Sequence, residues 1–189
     1  MGNSINKGNV NKVVGQLLSV LNTRSKDVIS RRFGLKSGRK ETLDAIGQGY
    51  DITRERVRQI EEVALKQMRA HLDSGFDKAI APYVSVAHAT LENHGGTLKE
   101  DRLFDEVFGG AKDKSAVAAL TFVLYLDNQI KHFSETDNLH SFWTISDKHA
   151  ESSTKLVGSL ISSLEKNQYP VHEDELLNFF KKSSFRERA

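Results

Sequence analysis

Short amphipathic segments, separated by residues that begin and end helices, dominate the first part of the sequence. Apolar residues recur there three and four positions apart, as on one face of a helix, at Val13, Val14, Leu17, Leu18 and Leu21. Asn22, Thr42 and Thr53 are residue types that cap helix N-termini, and Gly34 is one that ends helices. This pattern predicts three short helices, a turn over residues 47–51, and a longer helix from Thr53 to about Leu72.

Glycine pairs divide the second part of the chain. Gly95-Gly96 and Gly109-Gly110 separate apolar segments that predict helices over residues 76–93, around 103–108 and over 114–126. Two β-prone runs follow, at residues 129–134 and 139–145, with a polar turn between them. Three helices followed by a hairpin is the order of a winged helix, so we expect a mainly α protein with one short hairpin.

Composition excludes several classes of function. The 189 residues contain no Cys, which rules out disulfides, thiolate zinc sites and a cysteine nucleophile. No apolar run approaches the roughly 20 residues that a bilayer span requires, and the N-terminus has no signal-peptide pattern. The seven His residues are scattered, and no zinc-protease, P-loop or dinucleotide motif is present. We therefore expect a cytoplasmic protein that is not an enzyme and uses no cofactor, metal or small-molecule substrate.

The net charge of +2 conceals an asymmetry along the chain. Residues 1–75 hold 14 basic and 8 acidic side chains, whereas residues 76–189 hold 13 and 17. A basic front half suits a polyanion such as nucleic acid. The segment 76–147 has 6 basic and 11 acidic side chains, and 115–128 has no Lys or Arg. Because phosphate contacts dominate DNA affinity, we expect this segment to contact protein or act as a spacer.

The helix predicted from Thr53 has two contrasting faces. Its apolar stripe is formed by Val57, Ile60, Ala64 and Met68. Its polar face carries groups that read base edges in the major groove, at Arg54, Glu55, Arg58, Gln59 and Glu62. A short helix and a tight turn precede it, which is the order of a helix-turn-helix. The plainer interpretation is a solvated face with ion pairs four residues apart, such as Arg58–Glu62.

A longer pattern favours the first interpretation. The runs that carry it are Arg32-Phe33-Gly34-Leu35, Glu41-Thr42-Leu43-Asp44-Ala45-Ile46-Gly47, Asp51-Ile52-Thr53-Arg54-Glu55-Arg56-Val57-Arg58-Gln59-Ile60-Glu61 and Ala64-Leu65. Over about residues 10–72 this pattern resembles region 4 of the housekeeping-type bacterial RNA polymerase sigma factors. The resemblance implies a domain that binds the −35 promoter element as duplex DNA and docks on the flap of the polymerase β subunit.

The resemblance also assigns residues by position. It implies base contacts from Arg54, Glu55, Arg58 and Gln59, and phosphate contacts from Arg39, Lys40, Thr42 and Arg56. Ala45 departs from the pattern, because the family usually has a Glu there that completes a capping box with Thr42. The parts of a sigma factor that melt the −10 region have no counterpart in the sequence, so we do not expect this chain alone to open a promoter.

The second half has a looser resemblance. Residues 76–145 resemble a HARE-type winged helix, similar to the N-terminal domain of the polymerase δ subunit of Gram-positive bacteria. A shift of 73 positions then aligns Leu91-Glu92 with Leu164-Glu165 and Glu100-Asp101 with Glu173-Asp174. We therefore predict three parts, namely residues 1–74, residues 75–147 and a partial second winged helix over 148–189.

These observations predict a DNA-binding transcription regulator or sigma-like factor that recognises a −35-like element and acts with RNA polymerase. Two alternatives remain open. The chain could be a protein-interaction module that binds the β flap and competes with sigma factors. It could also be an accessory DNA-binding part of a DNA-processing enzyme.

Overall fold

The front half of the protein is helical from its first described residue. The computed structural model describes residues 7–110, 113–127, 129–166, 171–172 and 174. The four front helices are α1 (Lys7–Leu17), α2 (Thr23–Phe33), α3 (Leu43–Tyr50) and α4 (Arg54–His71), with a tighter helical turn over Leu18–Val20. None of the described helices is both long and apolar enough to span a lipid bilayer.

Local capping fixes where these helices begin. The side chains of Asn22, Thr42 and Thr53 each accept the amide three residues further on, at 2.9, 3.1 and 3.2 Å. Gly34 ends α2 in the left-handed region at φ 69°. All four residues act as the sequence predicts, because a cap needs only groups within one turn of each other.

The predicted turn over residues 47–51 is wrong. Helix α3 continues through both glycines to Tyr50, and only Asp51 leaves the helical conformation, at φ 51°. The phenol of Tyr50 donates a 2.8 Å hydrogen bond to Asp27 of α2, which ties the end of α3 to the preceding helix. This contact joins residues 23 positions apart, so local composition does not reveal it.

The second half has the element order of a winged helix. Its elements are α5 (Asp77–Asn93), β1 (Thr97–Lys99), α6 (Glu100–Phe108), α7 (Lys114–Leu126), β2 (Lys131–Phe133) and β3 (Phe142–Thr144). The strands form an antiparallel sheet of order β1-β3-β2, in which Leu98 and His132 both pair with Trp143. The predicted fold class, mainly α with a helix-turn-helix and a winged-helix arrangement, is confirmed.

Strand β1 is absent from the sequence-based prediction. It has three residues and follows Gly95 and Gly96, which both adopt positive φ. Three residues are too few to show an alternating pattern, and the strand exists because β3 pairs with it.

One continuous apolar core joins the two halves. Helix α7 packs against α1, α2 and α4 of the front half as well as against α5. The Phe33 ring of α2 meets the Phe122 ring of α7 edge to face, with centroids 4.8 Å apart. A separate small cluster of Val28, Ile46 and Val57 holds α2, α3 and α4 together. The division into residues 1–74, 75–147 and 148–189 stays a prediction.

Helix α8 (Asp147–Glu165) follows the sheet directly. Ser146 caps it, and Ala150 is its buried residue. The sequence predicts helix from about residue 148, in agreement. The predicted second helix of the repeat lies almost wholly outside the described residues.

Candidate nucleic-acid interface

Helices α3 and α4 meet at a close backbone approach. The Ile52 amide donates to the Gly47 carbonyl at 3.0 Å. A Cβ atom on Gly47 would lie 2.6 Å from the Ile52 carbonyl oxygen, so no side chain fits there without a backbone shift. Ile46 and Val57, both fully buried, pack beneath this contact. The angle between the two helices is therefore set by backbone contact as well as by a small core.

The four predicted base-contacting residues lie together on the first two turns of α4. Arg54, Glu55, Arg58 and Gln59 are all exposed, while Val57 on the opposite side is fully buried. Among the described elements, the start of α4 is packed by α2 and α3, and α7 meets α4 near its far end, where Arg69 reaches the Tyr125 carbonyl. The structure thus brings these residues onto one surface that faces away from the shared core.

These exposed side chains are paired with one another. Arg58 donates from Nε to Glu55 Oε2 at 2.9 Å and from Nη2 to Glu55 Oε1 at 2.7 Å, and Nη1 contacts Glu62. Arg56 Nη1 donates to Gln59 Oε1 at 3.0 Å. The hydrogen bonds from Arg58 hold the pKa of Glu55 below its ordinary value, so this face carries full charges of both signs at neutral pH.

The predicted phosphate contacts fall into two groups. Thr42 and Arg56 lie at the N-termini of α3 and α4, whose free amides attract anions. Arg39 and Lys40 are exposed in the loop between α2 and α3. A bidentate ion pair braces this loop, with Arg31 Nη2 2.7 Å from Glu41 Oε2.

Lys40 also faces the second half. It lines a cleft of about 240 Å³ together with the α6 carboxylates Glu100, Asp101 and Asp105. Burial acts to raise the pKa of Glu100, but hydrogen bonding and charge from His132, with Lys40 and Trp143, outweigh it and lower that pKa. Lys40, in the loop before α3, therefore also interacts electrostatically with the carboxylates of α6 in the second half.

The helix that would read DNA in a winged helix, α7, is largely buried here. In α7, Leu120, Phe122, Val123 and Leu124 are fully buried. Helix α7 packs against helices of both halves and against β2, so most of its side chains are not available to a double helix. Whether residues 76–147 contact protein or act as a spacer stays a prediction.

The histidine and tryptophan side chains of the hairpin have structural partners. His132 Nε2 lies 2.9 Å from Glu100 Oε2, and His140 Nδ1 lies 3.0 Å from Glu135, so the two imidazoles are not paired with each other. Trp143 is 1% exposed and donates to Glu100 at 3.0 Å, which closes the hairpin onto the core. Over the described ranges, no three metal-ligating side chains converge.

Two contacts that hold the interface have no local signal in the sequence. The hydrogen bond from Tyr50 to Asp27 fixes α3 on α2 and raises the pKa of the phenol. Arg32 lies 3.5 Å from Glu61 and fixes α2 on α4. Both pairs join residues far apart in the chain, and only their types, a phenol or guanidinium and a carboxylate, could have suggested them.

Comparison with known proteins finds relatives for part of the front half. Residues 17–70 match the family described as Sigma-70, region 4. The chain is 51% identical over 53 residues to RNA polymerase sigma factor SigA1 of Synechococcus elongatus, covering 28% of this chain and 13% of that protein. It is 49% identical over 57 residues to SigA of Clostridium acetobutylicum, covering 29% of this chain and 15% of that protein.

The match to a third relative covers slightly more residues. RNA polymerase principal sigma factor HrdD of Streptomyces griseus is 43% identical over 65 residues, covering 33% of this chain and 19% of that protein. The chain thus spans less than a fifth of the length of these relatives. The matched residues include α4 and its exposed Arg54, Glu55, Arg58 and Gln59. The HARE-type assignment of the second half stays a prediction.

Proposed function

We propose that this protein binds duplex promoter DNA through α4 and acts in transcription together with RNA polymerase. The observation that carries the proposal is the position of Arg54, Glu55, Arg58 and Gln59. All four are exposed on the first two turns of α4, the second helix of a helix-turn-helix that matches Sigma-70 region 4. Guanidinium, carboxylate and amide groups at the start of such a helix are those that read base edges in the major groove.

The proposed target is a −35-like element. Arg54, Glu55, Arg58 and Gln59 contact bases, while Arg39, Lys40, Thr42 and Arg56 contact phosphates. The positive ends of α3 and α4 add affinity for the backbone. The proposed polymerase contact is the β flap, as the similarity to sigma factors suggests.

The second half has a different role in this proposal. Its third helix is used in the shared core, and its segment 76–147 carries 6 basic against 11 acidic side chains. DNA affinity depends on phosphate neutralisation, which this surface opposes. The winged helix therefore supports the front half and offers a surface for protein contact.

Binding-site selection on random duplex DNA, with and without core polymerase, tests the proposal. The Arg58→Ala variant should bind the selected duplex about 1–3 kcal/mol more weakly than wild type, because one base-reading side chain is removed. The base preference at one position of the duplex should also relax. Lys155→Ala, on exposed α8, is the matched control and should bind as wild type.

A protein-interaction module predicts a different outcome. If Arg58→Ala leaves duplex binding unchanged while core polymerase is still captured, α4 does not read DNA and the protein acts through the polymerase alone. The buried third helix and acidic charge of the second half favour this as the second candidate. Nuclease activity of the purified chain would instead support a part of a DNA-processing enzyme.

A further inference from the structure

Arg58 is held between two carboxylates, one turn before it and one turn after it along α4. Glu55 accepts from Nε and Nη2, and Glu62 contacts Nη1. The three side chains are 57%, 47% and 59% exposed in chain order, so solvent and a ligand can reach them. The neighbouring Glu61 points elsewhere, toward Arg32 at 3.5 Å. Glu62 is thus directed to the same guanidinium as Glu55.

This arrangement leaves a defined part of the guanidinium free. A guanidinium has five N–H groups, and the contacts with Glu55 and Glu62 occupy three of them. One N–H remains on each of Nη1 and Nη2. Guanine presents two acceptors in the major groove, O6 and N7, to which N–H groups of an arginine can donate.

The charges determine what else Arg58 can bind. Two carboxylates around one guanidinium give this position a net negative charge, which opposes contact with phosphate. A guanidinium bound to phosphate adds affinity without sequence information, whereas one bound to a base edge adds specificity. An arginine held by both carboxylates is therefore biased toward bases.

We propose that Glu62, acting with Glu55, positions Arg58 for a guanine edge and keeps it from the phosphates, so that Glu62 determines specificity at the proposed duplex site. The inference rests on the proposed function. A helix-stabilising ion pair would also place Glu62 four residues after Arg58. That role alone gives Glu62 no effect on the choice between duplexes.

The first test compares two duplexes. Wild type, Glu62→Ala and Glu62→Gln are titrated against the selected duplex and a scrambled one across a range of salt concentrations. Loss of the Glu62 charge should tighten binding to the scrambled duplex and lower the ratio of the two affinities about fivefold or more, comparable to one base-reading contact. The salt dependence should steepen by about one released counterion, since Arg58 then reaches phosphate.

Glu151→Ala is the matched control, because Glu151 also forms an exposed pair four residues from a cation, with Lys155 at 3.9 Å. It should leave the affinity ratio unchanged. Equal changes of Glu62→Ala on both duplexes, or no change, would overturn the inference while leaving the proposed function intact. Failure of wild type to bind any duplex would overturn both.

A second measurement needs no DNA. The Nε–H resonance of Arg58 in ¹⁵N-labelled protein should show restricted motion in wild type and greater motion in Glu62→Ala. Equal mobility in the two proteins would show that Glu62 does not position Arg58. Circular dichroism of the same samples checks that α4 remains folded.

Discussion

At the scale of single residues, two positions at the junction of α3 and α4 set the geometry of the proposed interface. Gly47 has no side chain where α3 passes over the Ile52 carbonyl. Asp51 adopts the left-handed conformation at φ 51°, which Asp tolerates better than most residues. Together these two positions allow the chain to turn sharply between α3 and α4.

Gly47→Ala should destabilise the protein by about 1–3 kcal/mol, the usual range for overpacking. The new Cβ would lie 2.6 Å from the Ile52 carbonyl oxygen, which is backbone and cannot move aside alone. The free energy of unfolding, from urea titration, measures the effect.

Gly49→Ala in the same helix is the control. Its Cβ would meet the end of the Arg31 side chain at 3.0 Å, so the guanidinium, which pairs with Glu41, has to shift by only a few tenths of an ångström and no backbone atom is in the way. We expect this variant to be neutral or up to about 1 kcal/mol more stable, because Ala favours a helix over Gly. Equal stability of the two variants would show that the backbone contact at Gly47 does not restrict the fold.

At the scale of elements, α3 begins with half of a capping box. The Thr42 hydroxyl accepts the Ala45 amide at 3.1 Å, but the methyl group of Ala45 cannot accept the Thr42 amide in return. Ala45 is exposed, so a longer side chain there meets solvent. The sequence predicts this incomplete cap, and the structure has the single bond.

Ala45→Glu should stabilise the protein by about 0.3–1.5 kcal/mol, since Glu completes the box and lies at the positive end of α3. Thermal unfolding followed by circular dichroism measures the gain. Ala45→Gln separates the two causes, because it can close the box without adding charge. A loss of stability in both variants would show that the Thr42 amide is not open to a side chain at position 45.

At the scale of the whole molecule, the two halves are joined by α7. Phe122 is fully buried and contacts Phe33 across the junction, while Ile29 and Met68 belong to the same apolar cluster. A helix that is apolar on all sides cannot remain in water, so α7 requires partners from both halves. The winged helix and the helix-turn-helix therefore depend on each other for burial.

The shared core predicts a single unfolding transition. Trp143 is the single tryptophan of the chain and lies in the second half, so its fluorescence reports on that half, while circular dichroism reports on all helices. The two signals should change at the same denaturant concentration. Phe122→Ala should shift both together by about 3–5 kcal/mol, the usual loss for a buried Phe. Two separate transitions would show that residues 1–74 fold independently.

The sequence by itself determined the features that arise within one turn of helix. The caps at Asn22, Thr42 and Thr53 and the stop at Gly34 need only neighbours three or four residues away. The exposure of the Arg58 face of α4 follows from the same short period, because the apolar stripe must be buried. Whether these side chains contact the predicted bases and phosphates stays a prediction.

Only the tertiary structure decided the contacts that join distant residues. Strand β1 forms because β3 pairs with it, and α3 extends to Tyr50, whose phenol bonds Asp27. The burial of α7 between the two halves was equally hidden, because an apolar helix shows that it needs partners but not which partners it has. Local hydrogen bonds are encoded by spacing, whereas packing depends on which surfaces the whole chain brings together.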